Sequence, residues 1–381
     1  MLLSITFSNH CQMNCAYCCI QSKNTSPSLS IPDAIAFIEK YADLNNPETT
    51  IEFFGGEPML DKHKVRAVMD KFPNFKYRIF TNGLSWNMTD LNLMLRFDEI
   101  LISLDGPFEL NKARRNTREE YDHILSNFQW LLGMGAAPGI AMVLGTSIQY
   151  REFINTIKYF EEMGAQYFSI EPTTVWEDDK PIGFSDKHLK EFVVGVLYLL
   201  EKSFRGDYRY INIPREMVSS KIFFKHGKSC TDTVRAISPR GNIYMCRDFA
   251  ANEEEIMRKN RERPDPDEAV LTIDQYGTFR HLKKYDEATP CPVKSLQYEK
   301  AGKLGDLWWL QGAIQDELLG PLWKLIDINN HHIQKVLIKN EVRGREIDLD
   351  STYELFSFWV EAVTAKFGLD SVSNYGAIAN D

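Results

Sequence analysis

Three cysteines near the start of the chain have a spacing that suits an iron–sulfur cluster. Cys11, Cys15 and Cys18 form a C-x3-C-x2-C pattern in the stretch CQMNCAYCC. Three thiolates on one short loop cannot complete a tetrahedral zinc site by themselves. They can hold three irons of a cubane cluster and leave the fourth iron open to a further ligand. An incomplete zinc site and a group of buried thiols are the alternatives to this interpretation.

The other cysteines are candidates for related chemistry. Cys19 directly follows the pattern, and we interpret it either as a small buried side chain or as a hydrogen-atom donor or distal ligand. Cys230, Cys246 and Cys291 lie far along the chain. A total of seven cysteines, in a long chain without a signal-peptide pattern, argues against a disulfide framework and favours metal binding or catalysis.

The elements that must position these residues follow from an alternation of short apolar runs and amphipathic segments. Six apolar runs are predicted to be buried parallel strands: residues 2–7, 50–54, 76–80, 99–104, 139–144 and 167–172. Strand–helix units in series indicate an α/β fold with a parallel sheet. Because a complete TIM barrel has eight such units, we predict an open, partial (β/α)6 TIM-like barrel.

Local signals predict several element ends. Ser30 is expected to cap the first helix, and Gly164 is expected to follow the end of a later one. A hairpin is predicted over residues 237–246 with Pro-Arg-Gly at the turn. The charged segment 250–269, which contains two prolines, is predicted to be a mobile loop. From residue 304 onward the pattern is helical, ending in a tail without periodicity.

Composition excludes some classes of function. The 381 residues carry a formal net charge of −9, which disfavours a surface that tracks nucleic-acid phosphates. The longest apolar run has nine residues, 192–200, too few to span a bilayer. We therefore expect a cytoplasmic protein with neither a nucleic acid nor a membrane as partner.

The order of four motifs resembles the radical S-adenosylmethionine (SAM) superfamily. CQMNCAYC follows the first predicted strand, FFGGEP ends the second, TNG ends the third and SLDGP ends the fourth. Arg115 follows at the spacing of the peptide-modifying branch. Ligands of α/β sheets bind at this carboxyl edge. The resemblance covers residues 1–175 and, in cysteine spacing, residues 205–300.

The resemblance implies a set of cofactor contacts. Cys11, Cys15 and Cys18 would hold the [4Fe-4S] cluster that binds SAM. The backbone of the Gly-Gly-Glu-Pro motif would contact the amino group of SAM, and the backbone at Tyr17 would lie near the adenine. The full set of implied SAM-binding residues is Tyr17, Gly55, Gly56, Glu57, Pro58, Asn82, Ser103, Asp105 and Arg115. An ordinary turn at Asp105 and a surface charge at Arg115 are the alternatives.

The second cysteine set resembles the SPASM or twitch extension, which binds an auxiliary iron–sulfur cluster. Cys230 and Cys246 are spaced C-x10-G-x4-C, and Cys291 is the natural third ligand. Lys294 stands where the full SPASM pattern has a cysteine, so we expect one auxiliary [4Fe-4S] cluster instead of two. Its fourth site is open, or filled by Asp248 or a histidine. Two unrelated buried thiols at 230 and 246 are the alternative.

The resemblance implies three regions and a reaction. The regions are a radical SAM barrel over residues 1–205, a twitch-like α+β region over 206–303 and a helical region over 304–381. The reaction is reductive cleavage of SAM followed by hydrogen abstraction from a ribosomally synthesised peptide or protein side chain, with a flavodoxin- or ferredoxin-type electron donor. Crosslinking, oxidation and epimerisation are all compatible with it. A small-molecule dehydrogenase or rearrangement enzyme and a non-catalytic zinc-binding module are the alternatives.

Overall fold

A computed structural model describes most of the first half of the chain and parts of the next hundred residues. The described residues are 1–198, 210–211, 234–262, 271–273 and 279–281. Within these ranges the exceptions are residues 19, 21–22, 25–26, 48, 115, 166, 174, 178–179, 184, 186, 189, 193, 196–197 and 245–246. The predicted region 304–381 and both predicted inter-region boundaries lie outside the described residues, so they stay predictions.

A nine-stranded sheet organises the described part of the chain. Its first six strands are β1 (Leu2–Thr6), β2 (Thr50–Phe54), β3 (Lys76–Thr81), β4 (Glu99–Ser103), β5 (Gly139–Leu144) and β6 (Tyr167–Pro172). They lie side by side in sequence order, and every pair is parallel. This order confirms the predicted partial barrel of parallel strands. The short strands β7 (Trp176–Glu177) and β8 (Lys180–Pro181) form a separate antiparallel pair.

Helices connect successive strands. They are α1 (Ile31–Tyr41), α2 (Lys62–Lys71), α3 (Leu91–Met94), α4 (Arg118–Gly133), α5 (Ser147–Arg151) and α6 (Phe153–Glu162). The predicted caps are present: the Ser30 hydroxyl accepts a hydrogen bond from the Asp33 N–H at 3.2 Å, and Gly164 has a φ of +98° just after α6. Single-turn 3₁₀ segments, Pro58–Asp61, Met88–Asp90 and Phe108–Arg114, follow β2, precede α3 and follow β4.

The two faces of the sheet have different chemistry. Side chains alternate along each strand, so Ile51 and Phe53 of β2 pack into the hydrophobic core under the helices. Glu52, which is fully buried, and Phe54 lie on the opposite face. Across β2 to β4 the residues paired in register on that face are Glu52, Arg78 and Glu99. The inner face of the barrel is therefore polar, although the sheet is well packed on its outer face.

The later part of the chain returns to this sheet. The predicted hairpin is confirmed as β10 (Val234–Ile237) and β11 (Ile243–Tyr244), which are antiparallel, with Gly241 at a φ of +86° in the turn. β10 pairs in parallel with β1, and β9 (Tyr210–Ile211) pairs with β6 at the other side. A further antiparallel pair, β12 (Leu271–Ile273) and β13 (Phe279–His281), lies outside this sheet.

The prediction of a mobile loop over residues 250–269 is wrong for its first half. Residues Arg247–Ala251 form helix α7, and Glu253–Glu262 form helix α8. Glu253 is buried, and its carboxylate accepts hydrogen bonds from the Tyr244 hydroxyl at 2.6 Å and the Asn242 amide at 2.5 Å. These bonds tie the start of α8 to β11, which explains why so charged a segment is ordered.

Helix α7 reaches the inner face of the barrel. It packs against β1 and β10. The Arg247 guanidinium bonds to the Glu52 carboxylate at 2.7 Å and lies 4.8 Å and 4.6 Å from the ring centroids of Phe54 and Phe80. Both geometries are favourable for a partly buried arginine. None of the helices that the structure describes has the length and apolar character needed to cross a membrane.

Candidate cluster and cofactor site

The three-cysteine loop lies directly after β1, at the carboxyl edge of the sheet. Cys11, Cys15 and Cys18 are all half-buried, and the Cys18 N–H donates to the Cys15 carbonyl at 3.3 Å. The three thiols also converge on one cation. Burial lowers the pKa of Lys23, but negative charge on Cys18, Cys15 and Cys11 outweighs it, so the net pKa is raised. One side chain therefore feels all three sulfurs.

The Gly-Gly-Glu-Pro turn after β2 lies against the base of this loop. The Gly56 N–H donates to the Ser8 carbonyl at 3.2 Å, and the Glu57 N–H donates to the His10 carbonyl at 2.7 Å. Gly55 has a φ of +127°, a conformation that strongly favours glycine. The two glycines thus serve a close approach of two backbones, which is the physical reason for their residue type here.

The Glu57 carboxylate is bonded to protein groups. It accepts hydrogen bonds from the Met59 N–H at 3.0 Å, the Thr81 hydroxyl at 2.8 Å and the Asn82 N–H at 2.6 Å. Glu57 is buried, and burial raises its pKa to about 7 although all three hydrogen bonds act to lower it. Its side chain joins the turn after β2 to the end of β3, so we assign it a positioning role.

The stability of the protein should depend on pH through Glu57. Because its folded pKa is raised from 4.5 to about 7, the folded protein keeps a proton that the unfolded chain has released. This contribution to stability is present below pH 4.5 and is lost as the pH rises through 7. Relative to Glu57→Gln, the free energy of unfolding should fall by roughly 2–3 kcal/mol between about pH 5 and pH 8. Anaerobic denaturant melts at both pH values would measure it, and a constant difference between the two proteins would contradict it.

Asn82 connects the end of β3 to the cysteine loop. Its amide nitrogen lies 3.7 Å from the Cys11 sulfur, within the range of a hydrogen bond to sulfur. Its amide oxygen accepts from the Leu84 N–H at 2.9 Å and from Gln12 at 3.3 Å. Gln12 bonds in turn to the Ser85 hydroxyl at 2.6 Å. The contact that the structure gives Asn82 is therefore to a predicted cluster ligand.

Replacing Asn82 by leucine should make the cluster harder to reduce. Hydrogen bonds to cysteine sulfur favour the reduced, more negative state of an iron–sulfur cluster. Loss of one bond worth about 1 kcal/mol corresponds to a roughly fivefold lower ratio of reduced to oxidised cluster at a fixed potential. A redox titration followed by electron paramagnetic resonance (EPR) measures this ratio. Asn155→Leu, on the exposed side of α6, is the control and should leave it unchanged.

Tyr17 and Asp105 meet above the sheet. The Tyr17 hydroxyl donates to one Asp105 carboxylate oxygen, and the Val143 N–H donates to the other at 2.9 Å. The Asp105 N–H donates to the Asn111 side chain at 2.9 Å. A Cβ on Gly145 would lie 2.9 Å from the Tyr17 ring, so that glycine makes room for the ring. Asp105 is buried and joins the cysteine loop to the ends of β4 and β5.

The remaining predicted residues have less to report. Pro58 begins the 3₁₀ turn after β2, and Ser103 is half-buried at the end of β4, beside Ala141 of β5. Five predicted residues lie outside the described residues: Cys19, Arg115, Cys230, Cys246 and Cys291. Sequence reasoning missed Lys23, Asn24 and Gln12, which belong to no motif, and Arg247, noticed only as a departure from a relative's pattern.

The site fits a three-cysteine cluster. Burial, together with the negative charges of Glu57 and Cys18, raises the pKa of the Cys11 thiol, so positive iron is what would hold it as a thiolate. Among the described residues, no three His, Cys, Asp or Glu side chains surround a single ion position. A cubane, whose cysteines bind different irons, does not require that arrangement.

A cysteine loop, a Gly-Gly-Glu-Pro turn and the carboxyl ends of parallel strands together define the class of enzymes that bind SAM at an iron–sulfur cluster. Residues 5–160 match the model of the Radical SAM superfamily. This part of the chain is a radical SAM domain.

Two curated relatives share part of the sequence. The "Radical SAM cyclopropyl synthase TigE" of Paramaledivibacter caminithermalis is 24% identical over 279 residues, which cover 64% of this chain and 57% of TigE. The "Uncharacterized protein MJ0907" of Methanocaldococcus jannaschii is 30% identical over 122 residues, which cover 30% of this chain and 41% of that protein. The chain thus spans about half the length of these relatives.

Solved structures share the fold. The enzyme anSMEcpe with bound AdoMet matches with a TM-score of 0.52 and 14% identity, covering 99% of this chain and 98% of that one. Its complex with AdoMet and the Cp18Cys peptide matches with a TM-score of 0.52 and 15% identity, covering 86% and 99%. At these identities the likeness concerns the fold alone.

Proposed function

We propose that this protein cleaves SAM reductively and uses the resulting radical to abstract a hydrogen atom from a peptide or protein side chain. A [4Fe-4S] cluster with SAM bound supplies one electron that splits SAM into methionine and a 5′-deoxyadenosyl radical. Cys11, Cys15 and Cys18 hold the cluster. Crosslinking, oxidation or epimerisation of the substrate can follow the abstraction.

The residues around the cluster orient its ligands and the bound SAM. The turn at Gly55 and Gly56 offers its backbone at close range, as an amino group requires. Tyr17 and Asp105 fix the cysteine loop over the ends of β4 and β5, where the adenosine would lie. A primary radical attacks most C–H bonds, so this rigidity decides which bond comes within reach.

One observation carries the proposal. The loop with three cysteines and the Gly-Gly-Glu-Pro turn are bonded to one another, through Gly56 to Ser8 and Glu57 to His10, at the carboxyl edge of the sheet. Neither motif is separated from the other by intervening side chains. Cluster and SAM backbone contacts at adjoining positions are what reductive cleavage requires, because the electron passes between them.

A peptide substrate is supported by analogy of fold. The anSMEcpe structures include complexes with the Kp18Cys and Cp18Cys peptides. We extend the proposal to an auxiliary [4Fe-4S] cluster on Cys230, Cys246 and Cys291, to a flavodoxin- or ferredoxin-type electron donor, and to a cytoplasmic location. The three sequence regions, 1–205, 206–303 and 304–381, belong to the same proposal.

The test is anaerobic reconstitution with iron and sulfide, reduction with dithionite and addition of SAM. Release of 5′-deoxyadenosine, measured by chromatography, is the expected result, and it should rise with a genuine substrate. Mass spectrometry of co-expressed candidate peptides would then report the modification. Zinc-containing, colourless protein that releases no 5′-deoxyadenosine would overturn the proposal.

The similarity to TigE favours cyclopropane formation as a second candidate. Closing a ring between two carbons of one side chain removes two hydrogens, as does a crosslink between two residues. Fragmentation mass spectra separate the two outcomes, because the loss stays within one residue for a ring and joins two residues for a crosslink. Incorporation of deuterium without a further mass change would indicate epimerisation instead.

A further inference from the structure

Two adjacent residues after the cysteine loop turn back towards it. Lys23 and Asn24 belong to no motif, and both side chains contact the loop that carries Cys11, Cys15 and Cys18. Lys23 is partly buried and Asn24 is exposed. This pair, which we call the Lys-Asn clasp, has no part in the contacts to SAM discussed above.

Asn24 grips the backbone of the first cysteine. Its amide oxygen accepts from the Cys11 N–H at 3.1 Å, and its amide nitrogen lies 3.5 Å from the Cys11 carbonyl oxygen. Its own N–H donates to the Asn9 carbonyl at 3.4 Å. Among the described residues, Asn24 is the one non-glycine residue with positive φ, +59°. Asparagine tolerates this conformation better than most side chains, and the bonds to Cys11 hold it there.

Lys23 places a positive charge among the sulfurs. Its ammonium donates to the Met13 carbonyl at 3.1 Å and hydrogen-bonds to the Cys18 thiol. Cys15 and Cys11 are also close enough to interact with it electrostatically. On the other side of Cys11, buried Glu57 contributes a negative charge. Lys23 therefore opposes the excess of negative charge that three thiolates would create.

We propose that the Lys-Asn clasp holds the cysteine loop in its cluster-binding conformation and that the Lys23 charge makes the bound cluster easier to reduce. A cluster held by three thiolates becomes more negative on reduction, and a nearby cation stabilises that state most. In a partly buried site this interaction is screened less than at the surface. The inference rests on the proposed cluster at Cys11, Cys15 and Cys18.

The charge is tested by Lys23→Met, which keeps an unbranched apolar stem, and by Lys23→Arg, which keeps the cation. The measurement is an EPR-monitored redox titration of the anaerobic, reconstituted full chain. We expect a more negative midpoint potential for Lys23→Met and a value near wild type for Lys23→Arg. Lys40→Met, on the exposed side of α1, loses the same charge far from the loop and should not shift the potential.

The grip on Cys11 is tested by Asn24→Gly, which permits positive φ but removes both side-chain bonds. The readout is the rate at which iron is lost to a chelator, followed by absorbance. We expect severalfold faster loss than from wild type, with an unchanged melting temperature for the apoprotein. Iron loss at the wild-type rate in Asn24→Gly, or an unchanged midpoint potential in Lys23→Met, would overturn the corresponding half of the inference.

The outcomes separate this inference from the proposed function. A wild-type protein that assembles no cluster disproves the proposed function itself. A wild-type protein with a normal cluster and SAM cleavage, beside variants with normal potential and iron retention, disproves the clasp alone. If Lys23→Met folds but assembles no cluster while Lys23→Arg does, the requirement for the cation is supported at the stage of assembly.

Discussion

Replacing Gly56 by alanine is expected to abolish most SAM cleavage. A Cβ at this position would lie 2.6 Å from the backbone carbons of both Asn9 and His10, and closer still to the His10 carbonyl oxygen. Backbone atoms cannot rotate away as a side chain can, so the cysteine loop must move. We expect a loss of stability of up to about 3 kcal/mol. Displacement of the loop by an ångström should lower 5′-deoxyadenosine formation on the order of 100-fold.

Gly133→Ala is the matched control for this prediction. Gly133 is the last residue of α4, and a Cβ there would meet no atom within 4 Å. This change should be neutral or stabilise the protein by up to about 1 kcal/mol, because alanine is the better helix former. Wild-type iron content and SAM cleavage in Gly56→Ala would show that the two backbones do not need their close contact.

Replacing Cys15 by alanine is expected to remove the SAM-binding cluster altogether. Two thiolates from this loop cannot hold three corners of a cubane, so about four irons per chain should be lost. Production of 5′-deoxyadenosine should fall to the level without enzyme. Iron analysis and chromatography after anaerobic reconstitution measure both effects. Cys15 is the clearest choice because Cys11 also bonds to Asn82 and Cys18 to Lys23.

Cys19→Ala is the matched control for Cys15→Ala. Cys19 is in the same stretch but outside the C-x3-C-x2-C spacing, so the variant should keep its full iron content. If Cys15→Ala retained the same iron as wild type while Cys19→Ala lost it, the assignment of cluster ligands would be wrong.

The six parallel strands could be predicted from sequence because they are buried on both faces and appear as continuous apolar runs. The prediction for residues 50–54 coincides with β2, and that for residues 139–144 coincides with β5. Helix ends followed in the same way from local chemistry, as at Ser30. These features depend on neighbours within a few residues along the chain.

The ordered start of the 250–269 segment could not be predicted, because distant residues stabilise it. Its charges suggest a solvated loop, but Glu253 finds partners on Asn242 and Tyr244, and Ile256 is buried. Three acidic residues at the start of α8 also suit the positive end of a helix. Composition alone does not show which charges are satisfied.

The candidate site divides along the same line. Motif spacing predicted that the cysteines and the Gly-Gly-Glu-Pro turn would share the carboxyl edge of the sheet, and these described residues do. The side chains that support them, such as Asn82 on Cys11 and Asp105 on Tyr17, come from separate loops. Their pairing is set by how the strand ends are arranged in space, which a single sequence does not express.

The position of β10 has a consequence for any attempt to dissect the chain. Because β10 pairs along one side of β1, the first strand is an interior strand of the sheet. A fragment limited to residues 1–205 would leave the peptide groups on that side of β1 without partners. Unpaired strand edges of this kind promote edge-to-edge aggregation. The fragment with the cysteine loop therefore depends, for its solubility, on a strand encoded about thirty residues beyond its end.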